Sequence, residues 1–148
     1  MKLKAYLRKG RVFIPTLGLV TRGLYRDIEP VTIVDVSEAD TLRRTFRETA
    51  ARGHPPTGPY PQPNPLPVVA KHAGVKRWGD FAREASPWTI QERNGIYRIM
   101  GYRREPNNWA EDPEHTINFP LGTGLDRVID RMIEVLQGAA RVSPQSRS

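Results

Sequence analysis

Two runs of alternating residues, Trp88 to Arg93 and Ile96 to Arg104, meet at Asn94-Gly95. Asparagine and glycine both tolerate positive φ, so this dipeptide between alternating runs predicts a tight β-hairpin. Counting outward, Glu92 faces Tyr97, Ile90 faces Ile99 and Trp88 faces Gly101. That register sets Trp88, Ile90, Tyr97 and Ile99 on one face, with Gln91 and Arg98 on the other.

A second hairpin is expected at the start of the chain. Leu3, Ala5 and Leu7 alternate with Lys4, Tyr6 and Arg8, the two-residue period of a strand with one buried face. Lys9-Gly10 supplies the turn, and Arg11 to Thr16 returns with Val12 and Ile14 on the matching apolar face. Tyr6 and Phe13 lie on the other side and are expected to be exposed. A third extended stretch, Leu24 to Val36, contains Pro30, which cannot donate to a central ladder and so predicts an edge, a bulge or two short strands.

Ser37 is placed to cap a helix whose stripe is Ala39, Leu42, Phe46 and Ala50, ending at Gly53. From His54 to Pro67 seven prolines exclude helix and central strand, so residues 54–67 are read as a stiff surface connection. Trp78, Phe81, Ala82 and Ala85 predict a short helix of about ten residues stopped at Pro87. A last strand is expected near His115 to Phe119. Thr123 would then cap a final helix with Leu125, Val128, Ile129, Met132, Ile133 and Leu136 as its stripe, closed by Gly138. The expectation is one α+β domain over residues 1–140, with an antiparallel or mixed sheet and about three helices mainly on one face. Residues 141–148 are read as a flexible tail.

At 148 residues the chain has the length of one domain with one sizeable core. No apolar run is long enough to span a bilayer, and Met1 to Tyr6 lacks the apolar stretch of a signal peptide. Cysteine is absent, which excludes disulfides, thiolate metal sites and thiol nucleophiles. The compartment expected is the cytoplasm, with no membrane partner. Formal charge is +7, and arginine outnumbers lysine 18 to 5. This composition suits an acidic protein surface or nucleic acid, and equally a solvated surface enriched in arginine by genome composition.

Catalytic patterns are weak. His54 and His72 have no partner at metal-ligand or triad spacing. Glu111-Asp112-Pro113-Glu114-His115 is the richest cluster, yet it lacks the glycine-centred alternation of a calcium loop, and Pro113 bends it. Asp27 and Glu29 would share a strand face, but no spacing rule identifies them further. No cofactor or metal is expected. Basic candidates are Arg8, Lys9 and Arg11 at the first turn, Arg43, Arg44 and Arg47 on the first helix, and Lys76, Arg77 and Arg83 near the second.

Two segments carry a family resemblance. One runs Val69-Ala70-Lys71-His72-Ala73-Gly74-Val75-Lys76-Arg77-Trp78 with Phe81. The other is Trp109-Ala110-Glu111-Asp112-Pro113-Glu114 with Phe119-Pro120 and the helix from Leu125. With Ala5-Tyr6-Leu7 and Val12-Phe13-Ile14-Pro15-Thr16, they resemble small bacterial proteins encoded beside polymorphic toxins, in particular immunity proteins of contact-dependent growth inhibition systems. The resemblance implies tight, non-catalytic neutralisation of a cognate toxin domain. Immunity proteins against nuclease toxins are often acidic, whereas this chain is basic, so it would need an acidic toxin surface or would have to bind away from the toxin's active site. Contact is expected through Arg43, Arg44, Arg47, Arg103 and Arg104, with Trp109 as an anchor. The alternative is a basic nucleic-acid-binding accessory or regulatory protein.

Overall fold

The computed structural model describes residues 1–142. Lys9 and Gly10, both at positive φ (52° and 76°), turn β1 (Lys2–Arg8) back into β2 (Arg11–Val20). The chain continues through β3 (Tyr25–Asp35), α1 (Ala39–Arg52), β4 (Pro56–Gly58), α2 (Val68–His72) and α3 (Trp78–Ala82). It ends with β5 (Ala85–Arg93), β6 (Ile96–Arg104), β7 (Trp109–Asn118) and α4 (Leu125–Val142). The strands form one sheet in the order β3-β2-β1-β5-β6-β7, antiparallel throughout, with β4 added in parallel at the end of β2. This is an α+β fold in which three strands precede the proline-dense segment, three follow it, and the short β4 lies within it.

The predicted hairpin register is the observed one: Glu92 pairs with Tyr97, Ile90 with Ile99 and Trp88 with Gly101. Trp88, Ile90 and Ile99 enter a core built with Leu3, Ala5, Leu7, Val12 and Ile14 from β1 and β2. The two long helices close this face. Leu42 and Phe46 of α1 and Val128, Ile129, Met132, Ile133 and Leu136 of α4 are all buried against it. Each such side chain contributes about 1.5–3 kcal/mol on full burial, so α4 is held mainly by its apolar stripe. Among the described residues no helix is long and apolar enough to cross a membrane.

The sheet has a second core on its other face, and here the expectation for β1 and β2 fails. Tyr6 and Phe13 are buried, at 1% and 0% exposure, with Val69, Ala70, Phe81 and Ala85. Phe81 meets Tyr6 and Phe13 edge-on, at 5.4 and 5.5 Å between centroids. The alternation on β1 and β2 is therefore apolar on both faces at their paired ends, because α2, α3 and Leu66 lie over that region. The helix at Trp78 is five residues long, half the predicted length, since β5 begins at Ala85.

Other boundaries shift for local reasons. Asp35 accepts bonds from both the amide and the hydroxyl of Ser37, at 3.0 and 2.7 Å, so Ser37 does not cap α1. Those bonds also hold the Asp35 carboxyl below its ordinary range. Thr123 donates its hydroxyl to the Pro120 carbonyl at 2.8 Å and is not a cap either. Gly138 does not end α4, because the helix continues through Ala140, which reaches the first core, to Val142. Of the tail expected at 141–148, Arg141 and Val142 are helical and the remainder lies outside the described residues. Pro30 sits on the edge strand β3, as its missing donor requires.

The last strand starts earlier than predicted. Gly101 pairs with Asp112 while Met100 pairs with Thr116, so residues 113–115 bulge out of β7. The Trp88 indole and His115 crowd this point: a Cβ on Gly101 would lie 2.7 Å from Trp88 Cζ3 and 2.9 Å from His115 Cβ. Neither ring nor backbone can withdraw cheaply. Gly101→Ala is expected to cost about 1–3 kcal/mol in urea unfolding, the range for overpacking a well-filled core. Gly79→Ala, where a Cβ meets nothing within 4 Å, is the control without this clash.

Candidate functional site

The two small helices cover only part of the second sheet face. At the other end of that face, four strands set Lys2, Gln91, Arg98 and Asn118 side by side through the pairs Lys2–Gln91, Gln91–Arg98 and Arg98–Asn118. These residues line an open trough of about 720 Å³, together with Tyr25, Tyr102 and Glu111. The polar side chains are tied to one another. Arg98 Nη2 donates to Gln91 Oε1 at 3.2 Å, and Gln91 Nε2 donates to Thr89 Oγ1 at 3.2 Å and to the Tyr102 hydroxyl at 3.4 Å. Cross-linked in this way, the surface is organised before any partner arrives.

Lys2 is half-buried at the β1 end of this row. Its ammonium stands 5.9 Å from the Tyr25 ring centroid. Burial, with the neighbouring Lys4 charge second, lowers its pKa, and Asp27 and Glu111 only partly oppose this. His54 holds the backbone beneath it. The Lys2 amide donates to His54 Nε2 at 3.2 Å, which fixes Nδ1 as the protonated nitrogen, and Nδ1 donates to the Leu17 carbonyl at 2.9 Å. One imidazole thus bridges β1 and β2 where the strands have parted, a role that its position beside the prolines did not reveal.

Beside the trough, the Tyr6 hydroxyl donates to Asp27 Oδ2 at 2.6 Å, and Lys4 Nζ lies 3.9 Å from Asp27 Oδ1. The Asp27 side chain is only 8% exposed. Burial chiefly, then the Asp27 charge and hydrogen bond, push the Tyr6 phenol well above its ordinary value of 10.0. A phenol held in this way is a donor that positions Asp27, and it is poorly suited to act as a base.

Asp27 and Glu29 do not form a working pair. Glu29 faces His72 Nε2 instead, at 2.9 Å to each carboxylate oxygen. The acidic cluster also divides: Glu111 lines the trough, while Asp112 Oδ2 meets His115 Nδ1 at 2.7 Å. The bond to His115 is the main reason the Asp112 carboxyl is held below its usual range. Among the described residues, no group of three or more His, Asp or Glu side chains could hold a metal ion.

The residues expected at a partner surface do not converge. Arg43 and Arg47 fasten α1 to α4, with Arg43 Nε 2.6 Å from Asp130 Oδ1 and Arg47 Nε 2.8 Å from Asp126 Oδ1. Arg44 faces Glu48 at 3.9 Å, and Arg103 faces Glu105 at 3.9 Å. Trp109 packs against Trp78 and Tyr6 in the second core, at 5.6 and 6.2 Å between centroids. Arg104 and Trp109 also line a cleft of about 260 Å³, on the side of the sheet opposite α1 and α4. The trough residues, by contrast, lie on the polar faces of strands. The available signal was Gln91 and Arg98 on the outer face of the hairpin.

Tyr6→Phe removes the hydroxyl donor from a carboxylate that is largely buried. It should destabilise the protein by about 1–3 kcal/mol in thermal or urea unfolding. Because the folded pKa of Tyr6 is raised, its contribution is fully present below the ordinary phenol pKa and is lost as pH rises through the folded value. Ultraviolet titration should show one tyrosine ionising only at strongly alkaline pH in the wild type, and that late step should be missing from Tyr6→Phe.

No protein-family model and no curated protein matches this chain. Among solved structures it is similar to a protein of unknown function, NMB0488, from Neisseria meningitidis. The TM-score is 0.62 at 12% sequence identity, with 93% of each chain covered. At this identity the likeness shows the fold alone: an antiparallel sheet with its accompanying helices.

Proposed function

We propose that this protein is a cytoplasmic immunity protein, a non-enzymatic module that neutralises a cognate bacterial toxin domain by binding it. The observation that carries this reading is the distribution of charge. Arg43, Arg44 and Arg47 of α1 are already matched to carboxylates of α1 and α4. Lys2, Arg93 and Arg98 stand at the trough with no ion-pair partner among the described residues. Positive charge on a preformed face accelerates encounter with an acidic partner, and tyrosine and arginine are the side chains that most often dominate binding energy. The sequence resemblance to immunity proteins supplies the kind of partner.

A second reading, nucleic-acid binding, is favoured by the same cations standing near Tyr25 and Tyr102. Two measurements separate them. The toxin reading expects a 1:1 complex with the C-terminal domain of the secreted protein encoded next to this chain, with Kd in the nanomolar range, and rescue of cells expressing that domain. The nucleic-acid reading expects affinity for generic duplex DNA that falls steeply with salt, with a log–log slope of several units. DNA binding of that kind without any complex with the neighbouring domain would overturn the immunity reading.

A further inference from the structure

We propose that the trough is a docking site for an acidic segment of a partner protein, with Lys2 and Arg98 as its central carboxylate receptors. This inference rests on the binding-module reading above and names the chemistry of the partner.

The local balance of charge points to an anionic occupant. Three basic side chains, Lys2, Arg93 and Arg98, line the trough against two acidic ones, Glu92 and Glu111. Glu92 is already engaged, accepting from the Gly95 amide at 2.8 Å and lying 3.7 Å from the Met1 amino group. Asp27, the next acid, is taken by Tyr6 and Lys4. Only Glu111 remains to balance three cations. Lys2 carries the imbalance most directly, since it is half-buried beside Lys4, and a carboxylate placed over it would relieve both burdens. Arg98 is held by Gln91 through one guanidinium nitrogen, which leaves the rest of its fork to take a carboxylate.

The surroundings favour a polypeptide over a phosphate backbone. Leu24, next to Tyr25 at one end of the trough, is 65% exposed, and Ile96, which lines the other end, is 45% exposed. Leu121, 74% exposed, adjoins the hairpin turn at Gly95. Aliphatic side chains at both ends suit the apolar residues of a protein segment, as in the mixed polar and apolar anatomy of protein interfaces. Phosphates would gain nothing from them.

The test uses the full chain and a fluorescent deca-glutamate peptide, followed by anisotropy at low salt. Saturable 1:1 binding is expected, weakened roughly tenfold or more by the double variant Lys2→Gln/Arg98→Gln. It should be essentially unchanged by Arg127→Gln/Arg131→Gln, which removes the same charge from α4. Equal weakening by both double variants, or no saturable binding, overturns the inference. So does a duplex DNA of matched charge that binds at the trough more tightly than the peptide, displacing it and losing affinity in Lys2→Gln/Arg98→Gln. Titration with the neighbouring toxin domain separates this inference from the reading beneath it. If that domain binds the wild type and Lys2→Gln/Arg98→Gln equally well, the trough assignment fails while the immunity reading stands. If it binds neither and the peptide still discriminates, the immunity reading fails and the acidic docking site stands.

Discussion

The pairing of β1 with β5, from Lys2–Gln91 to Arg8–Ala85, joins segments about eighty residues apart and fixes nearly everything else. It places the N-terminal hairpin against the Asn-Gly hairpin, so that Leu3, Ala5 and Leu7 continue the apolar surface of Trp88 and Ile90. Helices α1 and α4 then have one continuous floor to cover. On the other face the same register lines up Lys2 with Gln91 and, one strand further, Arg98. The core and the trough are two consequences of a single alignment. Shifting it by one residue would exchange their faces.

The second face is divided between structure and surface. Where Tyr6, Phe13 and Phe81 meet, it is a small aromatic core beneath α2 and α3. Beyond the reach of those single-turn helices, the strands carry lysine, glutamine, arginine and tyrosine. The buried Tyr6–Asp27 bond marks the border between the two regions, and Lys4 stands over it, 4.8 Å from the Tyr6 ring centroid. A stiff, doubly supported sheet under a polar surface costs a partner little ordering on binding. The arginine-rich helix α1 offers less, because its cations already hold α4 and would have to exchange partners.

Much of this fold was legible wherever the controlling interactions are local. The Asn94-Gly95 hairpin and its register followed from turn chemistry and alternation alone. So did the stripe of α4, while the missing donor of Pro30 left an edge, a bulge or two short strands open, and β3 is an edge strand with a register shift there. The expected caps Ser37 and Thr123 were lost to bonds within three residues, whereas the larger failures come from long-range packing. Tyr6 and Phe13 read as exposed because one apolar face suffices for an isolated hairpin, yet Val31 and Ile33 on β3 and Phe81 in α3 close over them. Gly138 read as a stop, but Ala140 lies within reach of the core. Pro113 marked a bend, but the extent of the bulge at 113–115 and the bridging role of His54 depend on contacts across the sheet.

The candidate surface was the least legible part. Arg43, Arg44 and Arg47 formed the most conspicuous basic run, but a run of sequence says nothing of the carboxylates that Asp126 and Asp130 bring from a helix some eighty residues later. Amide chemical-shift mapping of this protein, titrated with the toxin domain that the proposed function expects as its partner, tests the account most directly. The largest shifts are predicted at Lys2, Lys4, Gln91, Arg98 and Tyr102, with little change along the outer faces of α1 and α4. Shifts confined to those helices, with the trough silent, would contradict it.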